Sequence, residues 1–310
     1  MKKIIFSVCD DKYINQAIVS INSFFEVNDT KDIDYYLFVY TKNVGVIKDV
    51  VERFCASEIN LKVIQVSESE KYARPNICCI SQDNINVVLC RLRCLEMLYN
   101  GDSVSYTSID KGNAVIASGE LYTDANTFIH LDLDTLHILP LDIKGLECDG
   151  NTLISGVDER QGNVTYLTWS HKKKELPRIY INCGCFGISR KLCEGIVEKF
   201  KAYFNDSNNE TVCLEQDYLN YIVEDERKKC IHYNNNVMSN NIRYYKRVKP
   251  RMIHYLGSAK PFGVSKATYD TKYEKIYFNE YLGAVMKYRG LLDNSFVEQV
   301  KEVVMKCLNS

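Results

Sequence analysis

The sequence predicts an α/β protein, an open and mostly parallel sheet with helices on both faces, followed by a small helical appendage at the carboxyl end. Three observations lead there. Short apolar runs rich in β-branched and aromatic residues alternate with segments whose apolar residues recur every three to four positions. Acids stand where two of these runs stop, at Asp10–Asp11 and at Asp132 and Asp134, and open parallel sheets bind ligands at the carboxyl ends of their strands. The final stretch reads as an amphipathic helix.

Taken in order, Lys3–Val8 reads as a buried strand. Tyr13–Phe25 reads as a helix, with Ile14, Ala17, Ile18, Ile21, Phe24 and Phe25 on one face. Tyr35–Tyr40 and Leu61–Val66 are strands around a helix at Val44–Phe54. Asn84–Tyr99 is a helix with a stripe of Ile85, Val88, Leu89, Leu92 and Leu95. Arg91 and Arg93 flank that stripe, and spacing does not say which of them turns inward. Asn100–Asn126 is long and polar, with one apolar patch at Ala114–Ala117, and reads as a lid or an inserted loop. Leu153–Val157 is a strand ending at Asp158 and Glu159. Ile179–Ile181 is another, followed by an Asn182-Cys-Gly-Cys close approach and a helix capped by Ser189. Glu215-Gln-Asp opens a further helix. Asn234–Arg251 reads as an exposed basic loop, and Met252–Leu256 as a strand carrying His254. At the end, Ser295 and Glu298 form a predicted capping box. Phe296, Val297, Val300, Val303, Val304, Cys307 and Leu308 form a stripe expected to dock on the core or on a second copy in a homodimer.

The centre of the chain is Thr127–Pro140, TFIHLDLDTLHILP. Residues two apart in extended chain point to one side, so Asp132 and Asp134 can face one site. Two crowded carboxylates at a strand end are hard oxygen ligands, and a divalent cation offsets their repulsion.

Composition narrows the function. In 310 residues, 39 Lys and Arg balance 40 Asp and Glu, so there is no global attraction to nucleic acid or anionic membrane. The first apolar run is too short for a signal peptide and no stretch approaches a membrane span. The thirteen cysteines are odd in number, scattered and without a CxxC pair. They read as buried hydrophobes in a reducing compartment, the cytoplasm.

Six blocks in order, FSVCDDKYINQAIVSINSF, CRLRCLEML, HLDLDTLHI, YINCGCFGISRKL, EQDYLN and HYLGSAKPF, resemble the retaining glycosyltransferases of family 8. That group includes glycogenin and bacterial lipopolysaccharide galactosyl- and glucosyltransferases. The resemblance implies a GT-A fold over residues 1–265 and a helical appendage over 266–310. It implies transfer of glucose or galactose from UDP-glucose or UDP-galactose to a hydroxyl of a saccharide, glycolipid or protein, with Mn²⁺, or Mg²⁺, as cofactor. Such an enzyme would work in the cytoplasm or at the inner face of the membrane on a surface glycan. Position by position, it implies Asp132, Asp134 and His254 as metal ligands and Asp10 as a uracil contact. Gly257 and Lys260 would form a diphosphate-binding turn. Arg91, Asn182 and Gln216 would line the sugar pocket, with Asp158 and Glu215 as acids near donor or acceptor hydroxyls. The Asn100–Asn126 stretch exceeds the family's usual link, and Lys12 stands where Asn is common.

Rival readings fit less well. A haloacid-dehalogenase phosphohydrolase needs Thr two residues after the second Asp, where this chain has Leu136, and normally carries that motif on its first strand. A sugar nucleotidyltransferase wants a Gly-rich loop that CDDKY does not provide. A UDP-sugar-binding module without turnover remains as the rival from another class.

Overall fold

The structure, a computed structural model, describes residues 3–67, 82–121, 124–157, 181–206, 215–225, 229–232, 250–255, 260–262 and 272–309. In chain order the first elements are β1 (Lys3–Asp10), α1 (Ile14–Val27), β2 (Ile33–Tyr40), α2 (Val44–Ala56), β3 (Leu61–Val66) and α3 (Gln82–Asn100). Next come β4 (Ser103–Asp110), β5 (Asn113–Glu120), β6 (Thr127–Leu131), β7 (Thr135–His137), β8 (Thr152–Val157) and β9 (Ile181–Ser189). The last are α4 (Ile196–Asn205), α5 (Glu215–Asp225), β10 (Lys229–His232), β11 (Met252–His254), α6 (Lys272–Lys287) and α7 (Asn294–Asn309).

The apolar runs form one sheet in the order β10-β8-β9-β6-β1-β2-β3-β4-β5. β1 lies in its middle, parallel to β2 and β6, and β2 is parallel to β3. Antiparallel pairs flank this parallel centre on both sides. The expected α/β architecture is therefore present, as a mixed sheet with a parallel core. Side-chain alternation divides the interior in two. Ile5 and Cys9 of β1 face a core shared with α1, α2 and the carboxyl-terminal helices, while Ile4 and Phe6 face α3, α4 and α5. A second, two-stranded sheet pairs β7 with β11.

Several local expectations are corrected. Asn100–Asn126 is not a structureless cover. Most of it is the hairpin β4–β5, which extends the sheet beyond β3. β4 alternates polar and apolar residues, and β5 is largely exposed, as the outermost strand of the described sheet. It stands four strand spacings from β6, roughly 19 Å across the sheet.

Ser189 ends β9 and precedes a 3₁₀ turn, Arg190–Cys193; α4 starts only after Gly195, whose φ of 57° breaks the run. The predicted capping box at Ser295 does not form. α7 begins one residue earlier, Val297 N–H donates to the Asp293 carbonyl, and Glu298 instead pairs with Lys301 at 2.6 Å.

The α7 stripe docks on its own core, with Val300, Val304 and Cys307 fully buried and Phe296 against Phe262 at 6.3 Å. Arg53 of α2 reaches across to Asp293 at 2.8 Å. No helix among the described residues is long and apolar enough to cross a membrane.

Candidate active site

The chain leaves β6 at Leu131, on the carboxyl side of the parallel strands, and turns before β7. Asp132 is fixed by its backbone, which donates to the Gly184 carbonyl of β9 at 2.7 Å and accepts from the Thr135 hydroxyl at 2.7 Å. Thr135 opens β7 and contacts Ser20 of α1 at 2.7 Å. β11 runs antiparallel to β7 with His254 opposite Thr135, and Tyr255 N–H donates to the Asp134 carbonyl at 2.9 Å. The small second sheet thus carries a histidine from late in the chain to the acidic turn.

One ligand atom each from Asp132, Asp134 and His254 lie within 4.8 Å of one another. His254 Nε2 is 3.0 Å from Asp134 Oδ1 and 3.5 Å from Asp132 Oδ2, yet neither ring nitrogen makes a directed hydrogen bond. A fully buried imidazole without such a partner, facing two carboxylates, is a donor set suited to a divalent cation. Burial alone would lower the His254 pKa, but Asp134 and Asp132 beside it raise it to about 9. Burial would likewise lift Asp134, and Lys260 together with His254 overcomes it, holding the carboxyl well below the usual range.

Three cationic or imidazole groups complete the surroundings. Arg91 projects inward from α3 and spans two acids, 2.5 Å to Asp132 Oδ1 and 2.8 Å to Glu215 Oε1. Arg93 points outward to Glu96, so the structure resolves the ambiguity that spacing left. Burial works against the charge on Arg91, and Asp132 and Glu215 more than restore it.

Lys260 Nζ sits 2.7 Å from Asp134 Oδ2 and 3.4 Å from the Tyr13 hydroxyl, over the Tyr13 and Phe262 rings. His130, two residues before Asp132, is buried between Phe6 and Phe186, with Nε2 3.8 Å from Asp132 Oδ1. Burial, then Arg91, push its pKa well below that of a free imidazole, so it is neutral.

Three of the remaining expected residues lie on β1, β9 and α5. Asp10 ends β1, half-buried, with its carboxylate accepting from Lys12 N–H at 3.0 Å; burial raises its pKa. Asn182 lies on β9, its side chain accepting from Gly184 N–H at 2.8 Å and its carbonyl from the Ser155 hydroxyl. Gln216 follows Glu215 at the start of α5 and accepts from Cys183 N–H at 3.2 Å. Asp158 and Gly257 lie outside the described residues.

Asp132, Asp134, His254, Lys260, Arg91 and Glu215 are therefore linked by direct contacts, with Asn182 and Gln216 on the adjoining strand and helix. Sequence reasoning missed His130 and Tyr13. The period of two in HLDLD places His130 on the side of Asp132, a usable signal; nothing local pointed to Tyr13.

Neither a family model nor a curated protein sequence matches the chain. Solved structures do. A galactosyltransferase, LgtC, in complex with donor and acceptor sugar analogs aligns with a TM-score of 0.63 at 20% identity, over 94% of this chain and all of that one. The fold is the GT-A glycosyltransferase fold. WbbM, a bifunctional glycosyltransferase, aligns at 0.60 and 13% identity, over 94% of this chain and 51% of WbbM. GlyE of Streptococcus pneumoniae aligns at 0.57 and 15% identity, over 97% of this chain and 64% of GlyE. In this GT-A chain the acidic turn, with the metal-capable triad, follows strand β6 directly.

Proposed function

We propose that the chain is a metal-dependent, retaining hexosyltransferase that moves glucose or galactose from a UDP-sugar to an acceptor hydroxyl of a saccharide, glycolipid or protein. The observation that carries this reading is the convergence of Asp132, Asp134 and His254 within 4.8 Å at the carboxyl side of a GT-A sheet. These three residues would hold Mn²⁺, or Mg²⁺, and imidazole beside carboxylates favours Mn²⁺ over an all-oxygen Ca²⁺ site. When bound, the cation would supply Lewis-acid stabilisation of a leaving diphosphate.

The chain's own residues supply the rest. Lys260 stands beside Asp134 as a fixed positive charge for diphosphate oxygens, and Gly257 is assigned to the same diphosphate. Asp10 at the end of β1 is assigned to the uracil. Arg91, Asn182 and Gln216 are assigned to the sugar, and Glu215 and Asp158 to donor or acceptor hydroxyls. Arg91 pairs with Asp132 and Glu215 together, so one guanidinium offsets the charge of both acids in a largely buried site.

Retention through a protein nucleophile would need a free carboxylate under the sugar. Gln216 is a poor nucleophile and Glu215 is paired to Arg91. A front-face route follows, in which the C1–O bond to the diphosphate breaks, the acceptor oxygen bonds C1 on the same face, and the leaving phosphate oxygen takes the acceptor proton. A bacterial surface glycan reached from the cytoplasmic face is the assigned setting.

Release of UDP from UDP-glucose and UDP-galactose, with and without Mn²⁺ and acceptor saccharides, tests the reading. Mn²⁺-dependent release with either donor supports it. Donor binding without release under every condition would instead establish a binding module without turnover.

A further inference from the structure

Among the described residues, β5 is an unpaired edge of the sheet. β4 and β5 are joined by the two-residue turn Lys111–Gly112, both in the left-handed region at φ 45° and 82°, which sets Asp110 opposite Asn113 as a hydrogen-bonded pair. Bonding alternates along an antiparallel pair. Asn113, Val115, Ala117 and Gly119 therefore direct their backbone groups to β4. Ala114, Ile116 and Ser118 direct theirs outward, where no strand follows β5 among the described residues.

Edge strands are usually protected by lysine, proline, a bulge or a covering element. From Asn113 to Gly119 the strand has no charge and no proline, its register to β4 is unbroken, and Ile116 is 83% and Val115 62% exposed. Ile116 lies on the face of Ile109 and α2, and Val115 on the face of Tyr106. Apolar side chains are thus offered on both faces of an open ladder.

We propose that β5 pairs antiparallel with β5 of a second copy, joining two sheets about a dyad at Ile116. In that register the outward-facing groups of Ala114, Ile116 and Ser118 meet those of Ser118, Ile116 and Ala114, about six main-chain hydrogen bonds. Ile116 packs on its own copy, and Val115 on Ala117 of the other. The same register brings Glu120, opposite Gly112 of the partner copy, beside that copy's Lys111. Two reciprocal ion pairs result, from side chains that form none within the chain among the described residues.

The opposite edge, β10, begins with Lys229 and offers no such match, so the contact closes as a twofold dimer rather than growing into a filament. The interface is at the small end of the range for specific contacts, so the dimer is sought over a wide range of concentration.

Sedimentation of the full chain from 1 to 200 μM tests this, with Ile116→Lys and Ile116→Glu as variants. Their side chains lie in solvent, and circular dichroism checks that each is folded. The expected result is a concentration-dependent dimer for the native chain and at least a tenfold weaker one for each variant alone. An equimolar mixture of the two variants should recover the dimer through Lys–Glu pairing. A native chain that is monomeric at 200 μM overturns the proposal, and so does a dimer that both variants leave intact.

Discussion

A β-carbon on Gly184 would lie 2.0 Å from Cε1 of His254, well inside contact distance. β9 can pass this close to the imidazole only because residue 184 has no side chain, and the same residue's carbonyl holds Asp132. Gly184→Ala is therefore expected to move His254 or β9. Mn²⁺ affinity, followed by titration calorimetry, should fall at least tenfold while far-ultraviolet circular dichroism is retained.

Asp134→Asn should abolish Mn²⁺-dependent binding of UDP-sugar with the fold intact. It removes one oxygen ligand's charge and the partner of both His254 and Lys260. Unchanged nucleotide affinity with Mn²⁺ present would remove Asp134 from the metal site.

Gln216→Ala should cost about 10- to 1000-fold in turnover through lost positioning, without abolishing it. Mass spectrometry of the native chain with donor should show no covalent sugar. An adduct on Glu215 would replace the front-face route with a double displacement.

Glu26 links α1 to the end of α6, accepting from Lys287 and, at 2.6 Å, from the Tyr288 hydroxyl. The Lys287 contact first, then Tyr288, hold its pKa below that of a free carboxyl. The unfolded chain therefore binds the proton more readily. The stabilisation is fully present above the ordinary Glu pKa of about 4.3 and is lost as pH falls through the lower, folded value. Because the pair is exposed, Glu26→Gln should lower the melting temperature by only about 1–3 °C at pH 7. The difference should vanish in strong acid; a gap independent of pH would contradict it.

The strands and helices around β1 were legible because burial on both faces leaves continuous apolar runs, as in Lys3–Asp10 and Ile33–Tyr40. The metal-capable pair was legible from the stop in such a run at Asp132. The edge hairpin was not, since Ser103–Asp110 and Asn113–Glu120 bury few side chains and their residues resemble those of a polar loop. Nor did sequence say that Arg91 would join Glu215 to Asp132. That contact depends on how α3 and α5 pack across β9, a long-range arrangement with no local signature. His254 was found through its block rather than its spacing, because the β7–β11 pairing that delivers it is only three residues long.

Lys260 reaches Asp134 across 126 residues of chain. At a synthesis rate of roughly 5–20 residues per second, Asp134 leaves the ribosome on the order of ten seconds before its counter-charge. His254 and β11 arrive scarcely earlier. Throughout that interval Arg91, already synthesised, is the cation among the described residues that contacts the acidic turn. The order of synthesis therefore leaves completion of the triad by His254 to the last fifth of translation.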